Sequence, residues 1–232
     1  MRRVKNLSVF FPAYNEAANI GRVVQSALEV LPRVVGTFEV IVVDDGSTDD
    51  TEKIVQQLCQ GDPRVRLISH HPNRGYGAAL RSGFYSAQYD LIAFTDGDGQ
   101  FDLSEITSLL EKLEKADLVI GYRRRRAEGS LRVINAKLWA LLMRILFGLR
   151  VKDIDCAFKL MRREVLEKIP KLESDGALIS AELLIKAQRF GFRIVEVPVS
   201  HLPRRAGSPT GANLKVILKA FWELAKFWRK MR

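Results

Sequence analysis

Asp96 and Asp98 stand two residues apart in the segment Asp96-Gly97-Asp98-Gly99-Gln100, directly after the apolar run Leu91–Thr95. Two carboxylates so spaced at a strand end can point the same way and present hard oxygen ligands of the kind that Mg²⁺ and Mn²⁺ take. They also leave room for phosphate oxygens to complete the shell, so the chemistry they suggest is the handling of a nucleotide. Asp and Gly favour plain turns as well. What tips the balance is repetition: Tyr14 and Glu16 follow the apolar run Leu7–Phe11, and Asp44 and Asp45 follow Val40–Val43.

Elements of a definite kind must position these clusters. Leu7–Phe11, Val40–Val43, Val65–Ile68, Leu91–Thr95 and Leu118–Ile120 read as five strands, each a continuous apolar run as in buried parallel strands. Ile20, Val23, Val24, Ala27, Leu28 and Leu31 repeat at helical spacing, with Asn15 as the expected cap and Pro32 as the expected stop. Further helices are predicted around Ile54–Leu58, through Ala78–Ala87, and from Asp102, where Glu105 three residues on completes a capping-box pattern. Alternating strands and helices imply an α/β fold, a mostly parallel sheet with helices on both faces. Such sheets bind ligands at the carboxyl ends of their strands, where the three polar clusters fall. The second half predicts a long helix at Leu131–Phe147, a strand near Phe158–Met161, a helix through Leu178–Arg189 and a strand at Arg193–Val199. The expected organisation is one domain over residues 1–212, followed by an amphipathic helix at 213–232.

The blocks Phe-Pro-Ala-Tyr-Asn-Glu (11–16), Val-Val-Asp-Asp-Gly-Ser-Thr-Asp (42–49), Asn-Arg-Gly-Tyr-Gly-Ala-Ala (73–79) and Asp-Gly-Asp-Gly-Gln (96–100), in this order, resemble the inverting family 2 glycosyltransferases of the GT-A fold. The chain is most similar to their dolichyl- and polyprenyl-phosphate branch, and weaker likeness continues through Asp153–Lys159, Glu182 and Glu196–Val199. The resemblance implies a nucleotide-sugar-binding half at 1–121 and an acceptor half at 122–212. The donor would be of the GDP-mannose or UDP-glucose type. Pro12, Ala13, Tyr14 and Glu16 would hold its nucleoside, and Asp44 or Asp45 would contact base or ribose. Gly77 would let backbone approach the nucleotide. Asp96, Asp98 and Gln100 would hold Mg²⁺ or Mn²⁺ against the diphosphate. Gly121-Tyr122-Arg123 is similar to a Gly-x-Arg element whose Arg meets an acceptor phosphate, with Arg132 as a second candidate. Arg204-Arg205-Ala206-Gly207-Ser208 resembles a late basic loop over the donor diphosphate, in which Arg204, Arg205 and Ser208 are candidate contacts.

A departing nucleoside diphosphate gathers negative charge, which a divalent ion and guanidinium groups stabilise in a dry pocket. A lipid-phosphate acceptor is already largely ionised near neutral pH and needs no general base. Arg suits it better than Lys because its fork can bind two oxygens. A hydroxyl acceptor, the alternative, needs a carboxylate base, for which Asp153, Asp155 and Glu182 are the candidates.

A net charge of +10 over 232 residues attracts anions: nucleotides, phospholipid headgroups or nucleic acid. The basic residues are not interleaved with aromatics as base-stacking platforms need, so no specific nucleic acid is expected. Cys59 and Cys156 fit no metal or CxxC pattern and are read as reduced thiols. His70, His71 and His201 have no partners at metal-ligand spacing and are read as structural or incidental. Leu7–Phe11, broken by Ser8, falls short of the roughly 7–15 apolar residues of an export signal. Leu214–Met231 combines a narrow basic stripe with a wide apolar arc including Phe221, Trp222, Phe227 and Trp228, the pattern of an interfacial helix; Leu131–Phe147, with Trp139, has a similar character. The expected location is therefore cytoplasmic, at the membrane's cytoplasmic face, bound peripherally or through a membrane protein partner.

Overall fold

The structure, a computed structural model, describes residues 4–124, 130–204, 206 and 214–231. The strands are β1 (Val4–Ala13), β2 (Val35–Asp44), β3 (Val65–Ser69), β4 (Leu91–Phe94), β5 (Leu118–Arg123), β6 (Lys159–Arg162) and β7 (Ile194–Val199). The α-helices are α1 (Ala17–Val34), α2 (Thr51–Gly61), α3 (Tyr76–Ser86), α4 (Ile106–Lys112), α5 (Ser130–Phe147), α6 (Arg163–Lys168), α7 (Leu178–Arg189) and α8 (Leu214–Lys230). The strands form one sheet in the order β3-β2-β1-β4-β6-β5-β7. All run parallel except β6, which is antiparallel to both β4 and β5. This is the mostly parallel α/β sheet that the apolar runs predict.

The alternation of side chains along the strands feeds two cores. Leu7, Val9, Phe11, Val40 and Val42 face α1, α2 and α4 through Ile20, Val24, Leu31, Val55, Ile106 and Leu109. Phe10, Ile41, Val43, Ile92, Phe94 and Ile120 face the other side, with α3, α5, α7 and α8. Phe10, Phe84 and Phe94 form a ring cluster with centroids 5.0–5.3 Å apart. Truncating Phe10 to Ala would cost about 3–5 kcal/mol by the usual cavity rule.

Two local expectations give way. Pro32 does not stop α1, which runs to Val34 and passes directly into β2. A proline there removes only one hydrogen bond near the end of the helix. Asn15 does not cap α1 either; its backbone lies in the left-handed region at φ 55°, which Asn tolerates better than most residues. At Asp102 the expected cap holds, its carboxylate accepting from the Ser104 N–H at 2.9 Å. Glu105 does not reach back but accepts from Ser200 N–H and Oγ at 2.9 and 2.8 Å, tying the start of this helical segment to the chain after β7.

The topology concentrates loops on one rim. The carboxyl ends of the parallel strands all emerge there. Because β6 runs the opposite way, its amino end lies at the same rim, so the 153–158 segment arrives beside the turns that leave β4 and β5.

α8 packs its Leu224 and Phe227 into the second core, and the Phe227 ring lies 5.4 Å from that of Phe147. Its other face leaves Phe221 and Trp222 exposed, as Leu138, Leu141 and Ile145 of α5 are. The Trp139 and Phe221 rings meet edge to face at 6.0 Å, which joins the two helices. No helix among the described residues is long and apolar enough to cross a membrane.

Candidate active site

The first wall of the site is a clasp between the loops after β1 and β2, whose register pairs Ala13 with Asp44. The Asn15 N–H donates to Ser47 Oγ at 2.9 Å, and the Thr48 N–H donates to Asn15 Oδ1 at 2.8 Å. The orphan donors at the start of α1 are met from the neighbouring loop: Glu16 N–H by Thr51 Oγ1 at 2.8 Å and Ala17 N–H by Asp49 Oδ2 at 3.1 Å. Pro12 and Ala13 line this wall as buried backbone, and Tyr14 stands exposed at its edge.

Asp44 and Asp45 have different surroundings. Asp44 is fully buried and, among the described residues, accepts from Ser47, by N–H at 3.2 Å and by a short hydroxyl contact. Burial pushes its carboxyl above the usual range against the lowering effect of those bonds. Asp45 is a hub: it accepts from the Arg74 N–H at 3.0 Å and the Gly75 N–H at 2.8 Å and bonds His70 Nδ1 at 2.6 Å. His70 Nε2 in turn meets Ser82 Oγ at 2.8 Å. His70 is thus a buried structural link that fastens the 70–75 loop to the end of β2.

The acidic turn after β4 joins this wall directly. The Thr95 N–H donates to the Phe10 carbonyl at 3.3 Å and the Gly97 N–H to the Pro12 carbonyl at 3.2 Å, so β1 leads the 96–98 turn to Pro12 and Ala13. The Tyr76 hydroxyl donates to Asp96 Oδ1 at 3.0 Å. Asp98 Oδ1 accepts from the Gln100 N–H at 3.0 Å. Burial, then the charge of Asp98, raises the Asp96 carboxyl to about 7.

Arg204, after β7, closes the front. Its guanidinium forms a very short ion pair with Glu16 and lies 3.5 Å from Asp98 Oδ2. Its Nε donates to the Ala206 carbonyl at 2.8 Å, and Asn19 Nδ2 donates to Glu16 Oε2 at 2.8 Å and to the same carbonyl at 3.3 Å. Burial raises the Glu16 carboxyl, opposed by Asn19 and Arg204. Gln100, expected as a metal ligand, also ties two loops together. Its amide Nε2 donates to the Leu202 carbonyl at 3.0 Å, and the Leu202 N–H returns a bond to the Gln100 carbonyl at 2.8 Å. It fastens the acidic turn to the late loop. Arg205, Ser208 and the Arg132 side chain lie outside the described residues.

On the other side, Arg123 at the end of β5 grips Asp153 with Nε at 2.7 Å and Nη2 at 2.8 Å, and its own N–H reaches the same carboxylate at 3.3 Å. Gly121 leaves room for this: a Cβ there would stand 2.9 Å from Cys156 Sγ and 3.1 Å from the Phe158 carbonyl. Asp155 is exposed beside this pair.

Two expected site residues have other work. A Cβ on Gly77 would stand 2.3 Å from the Ser174 carbonyl oxygen. Gly77 therefore makes room for the 174–175 backbone, to which its N–H is bonded at 2.9 Å through the Asp175 carbonyl. Glu182 is buried and accepts from the Glu173 and Ser174 N–H groups at 2.9 and 2.8 Å and from Lys186 at 2.5 Å. Both its oxygens are used in holding that segment, so it cannot serve as an acceptor base.

Among the described residues no group of three or more His, Cys, Asp and Glu side chains is arranged to hold a metal. Asp96 and Asp98 still suit a divalent cation. They are two hard oxygen donors on one turn, and burial together with the charge of Asp98 raises the Asp96 carboxyl, a disfavoured charge that a bound cation would relieve.

A model of glycosyl transferase family 2 matches residues 8–170. The chain belongs to this family. Polyprenol monophosphomannose synthase of Mycolicibacterium smegmatis is 31% identical over 93% of this chain and 85% of its own length. Undecaprenyl-phosphate mannosyltransferase of Micrococcus luteus is 30% identical over 95% of each chain. Dolichyl-phosphate beta-glucosyltransferase of Saccharomyces cerevisiae is 30% identical over 84% of this chain, which spans 66% of that protein. Among solved structures, glucosyl-3-phosphoglycerate synthase of Mycobacterium tuberculosis, with Mn²⁺ and UDP-glucose, superposes with a TM-score of 0.71 at 25% identity, covering 96% of this chain and 77% of that one. The expected GT-A architecture of family 2 glycosyltransferases is thus the fold observed.

Proposed function

We propose that this family 2 glycosyltransferase moves a hexose, with inversion, from a nucleotide-sugar of the GDP-mannose or UDP-glucose type to a polyprenyl or dolichyl phosphate. The observation that carries the reading is the convergence, on one rim, of the Asp96–Asp98 turn with the 12–16 and 44–45 loops on one side and the Arg123–Asp153 pair on the other. The relatives named for polyprenyl-phosphate acceptors, matched over nearly their full length, support the acceptor class.

Asp96 and Asp98 would hold Mg²⁺ or Mn²⁺, which would supply Lewis-acid stabilisation of the departing diphosphate. Glu16 and Asp44 border the nucleoside slot, and Asp45 keeps the 70–75 loop in place around it. Arg204 already sits beside Asp98, and its guanidinium is the group to neutralise the diphosphate as charge builds up. Arg123 meets the acceptor phosphate, while Asp153 fixes the plane of its guanidinium. A phosphate oxygen is the nucleophile and arrives ionised, so no proton has to be removed. For the hydroxyl-acceptor alternative, Asp153 is bound to Arg123 and Glu182 to the 173–174 backbone, which leaves Asp155 as the candidate base.

Membrane contact belongs to the same reading. The exposed ridge Leu138, Leu141, Ile145, Phe221 and Trp222 is flanked by Lys137, Arg144 and Lys226. That pairing of apolar and basic groups suits an anionic bilayer surface at the cytoplasmic face. A membrane protein partner could cover the same ridge. The test is transfer of radiolabelled hexose to undecaprenyl phosphate in anionic vesicles. The expected product is cleaved by mild acid, as a glycosyl phosphate is, and the protein pellets with the vesicles. An acid-stable product would overturn the acceptor assignment.

A further inference from the structure

Lys159 carries a charge in a place where charges are seldom left. It lies on β6 between Phe94 of β4 and Ile120 of β5 and has no exposed surface. Its ammonium bonds the Ile154 carbonyl at 3.1 Å and the Cys156 carbonyl at 2.5 Å, approaches Ser180 Oγ at 3.5 Å, and lies 5.3 Å from the centre of the Phe94 ring. A buried ammonium without such partners would cost several kcal/mol. Burial alone lowers its pKa, and the nearby Asp155, Asp153 and Asp96 act in the opposite sense.

The partners are informative. Both carbonyls belong to the segment that begins with Asp153, and the Cys156 N–H closes that segment onto the Asp153 carbonyl at 3.4 Å. Asp153 is in turn the residue that orients Arg123. A continuous set of contacts therefore runs from the ammonium through the 154–156 carbonyls to the Asp153 carboxylate and the Arg123 fork. None of these bonds reaches the donor-side wall, although the charge of the ammonium also acts on Asp96 of the acidic turn.

We propose that Lys159 is a positioning residue for the acceptor: it holds the 153–156 segment so that Asp153 aims Arg123 at the acceptor phosphate. This rests on the reading of Arg123 given under Proposed function.

The experiment compares Lys159→Met, Lys159→Gln and Lys159→Arg with the unmodified enzyme, using undecaprenyl phosphate as acceptor, UDP-glucose and GDP-mannose as donors, and Mn²⁺, with Arg123→Ala in parallel. The expected result is an acceptor KM raised about tenfold or more in the Met and Gln variants, with donor KM and calorimetric affinity for the nucleoside diphosphate changed by less than about twofold. The Arg variant should recover part of the loss. Donor and acceptor KM rising together, an unchanged acceptor KM in a folded variant, or failure of both neutral variants to fold would overturn the proposal in favour of a purely structural lysine. If Arg123→Ala itself leaves acceptor KM unchanged, the acceptor reading fails. If Arg123→Ala raises it and the Lys159 variants do not, only this inference fails.

Discussion

The guanidinium of Arg204 lies 3.5 Å from Asp98 while pairing with Glu16, so one cation of the late loop faces both the acidic turn and the wall after β1. If Asp96 and Asp98 hold a divalent ion, Arg204 stands where its guanidinium would meet the diphosphate of the donor. Arg204→Ala should therefore raise donor KM by about tenfold or more and leave acceptor KM within about twofold. Steady-state kinetics with each substrate varied separately checks this. A rise confined to the acceptor would contradict it.

Asp44 and Asp45 should separate binding from stability. Asp45 accepts from two backbone N–H groups and bonds His70. The main effect of Asp45→Asn should therefore be a loss of about 1–3 kcal/mol of stability. Asp44→Asn removes only the contacts to Ser47 and should mainly weaken nucleotide binding. Thermal melts and calorimetry on both variants decide the matter; the reverse pattern would assign the nucleoside contact to Asp45.

Much of this is legible in the sequence, and the gaps have physical causes. The apolar run Val40–Val43 announces a buried parallel strand whatever surrounds it, and the acids that follow it must emerge at its carboxyl end. The antiparallel direction of β6 leaves no local mark, because Phe158–Met161 would read the same either way. The Asp45–His70 and Arg123–Asp153 pairs link residues 25 and 30 apart in sequence, and no spacing rule reports such contacts. Gly77 reads as a point of close approach, which it is, but the backbone that approaches is the 174–175 segment from the far half of the chain. Lys159 does leave a signal: a charge directly after Ala157-Phe158 and before Leu160-Met161, within an apolar run.

The metal-free protein should show a pH dependence that traces to Asp96. Its carboxyl is raised from 3.8 to about 7 by burial and by Asp98. The folded state therefore prefers the protonated acid. The stability this contributes is fully present below the ordinary carboxylate pKa and is lost as pH rises through about 7. Without metal, the wild type should lose melting temperature between about pH 6 and about pH 8 by more than Asp96→Asn does. At the upper pH the variant should melt higher than the wild type, even though it cannot support metal-dependent transfer. Melting curves in chelator at the two pH values test this; parallel curves would mean that the two carboxylates are not in conflict.

The most direct measurement is the melting temperature with UDP or GDP, with and without Mn²⁺, for the wild type and for Asp98→Ala. Ligand at about a hundred times its Kd stabilises a fold by about 2.7 kcal/mol, or roughly 5–10 °C for a chain of this size. The wild type should show a rise of that order with one nucleotide only when Mn²⁺ is present, and Asp98→Ala should lose it. An equal rise in the variant, or one independent of the metal, would contradict a cation-and-diphosphate site at Asp96 and Asp98.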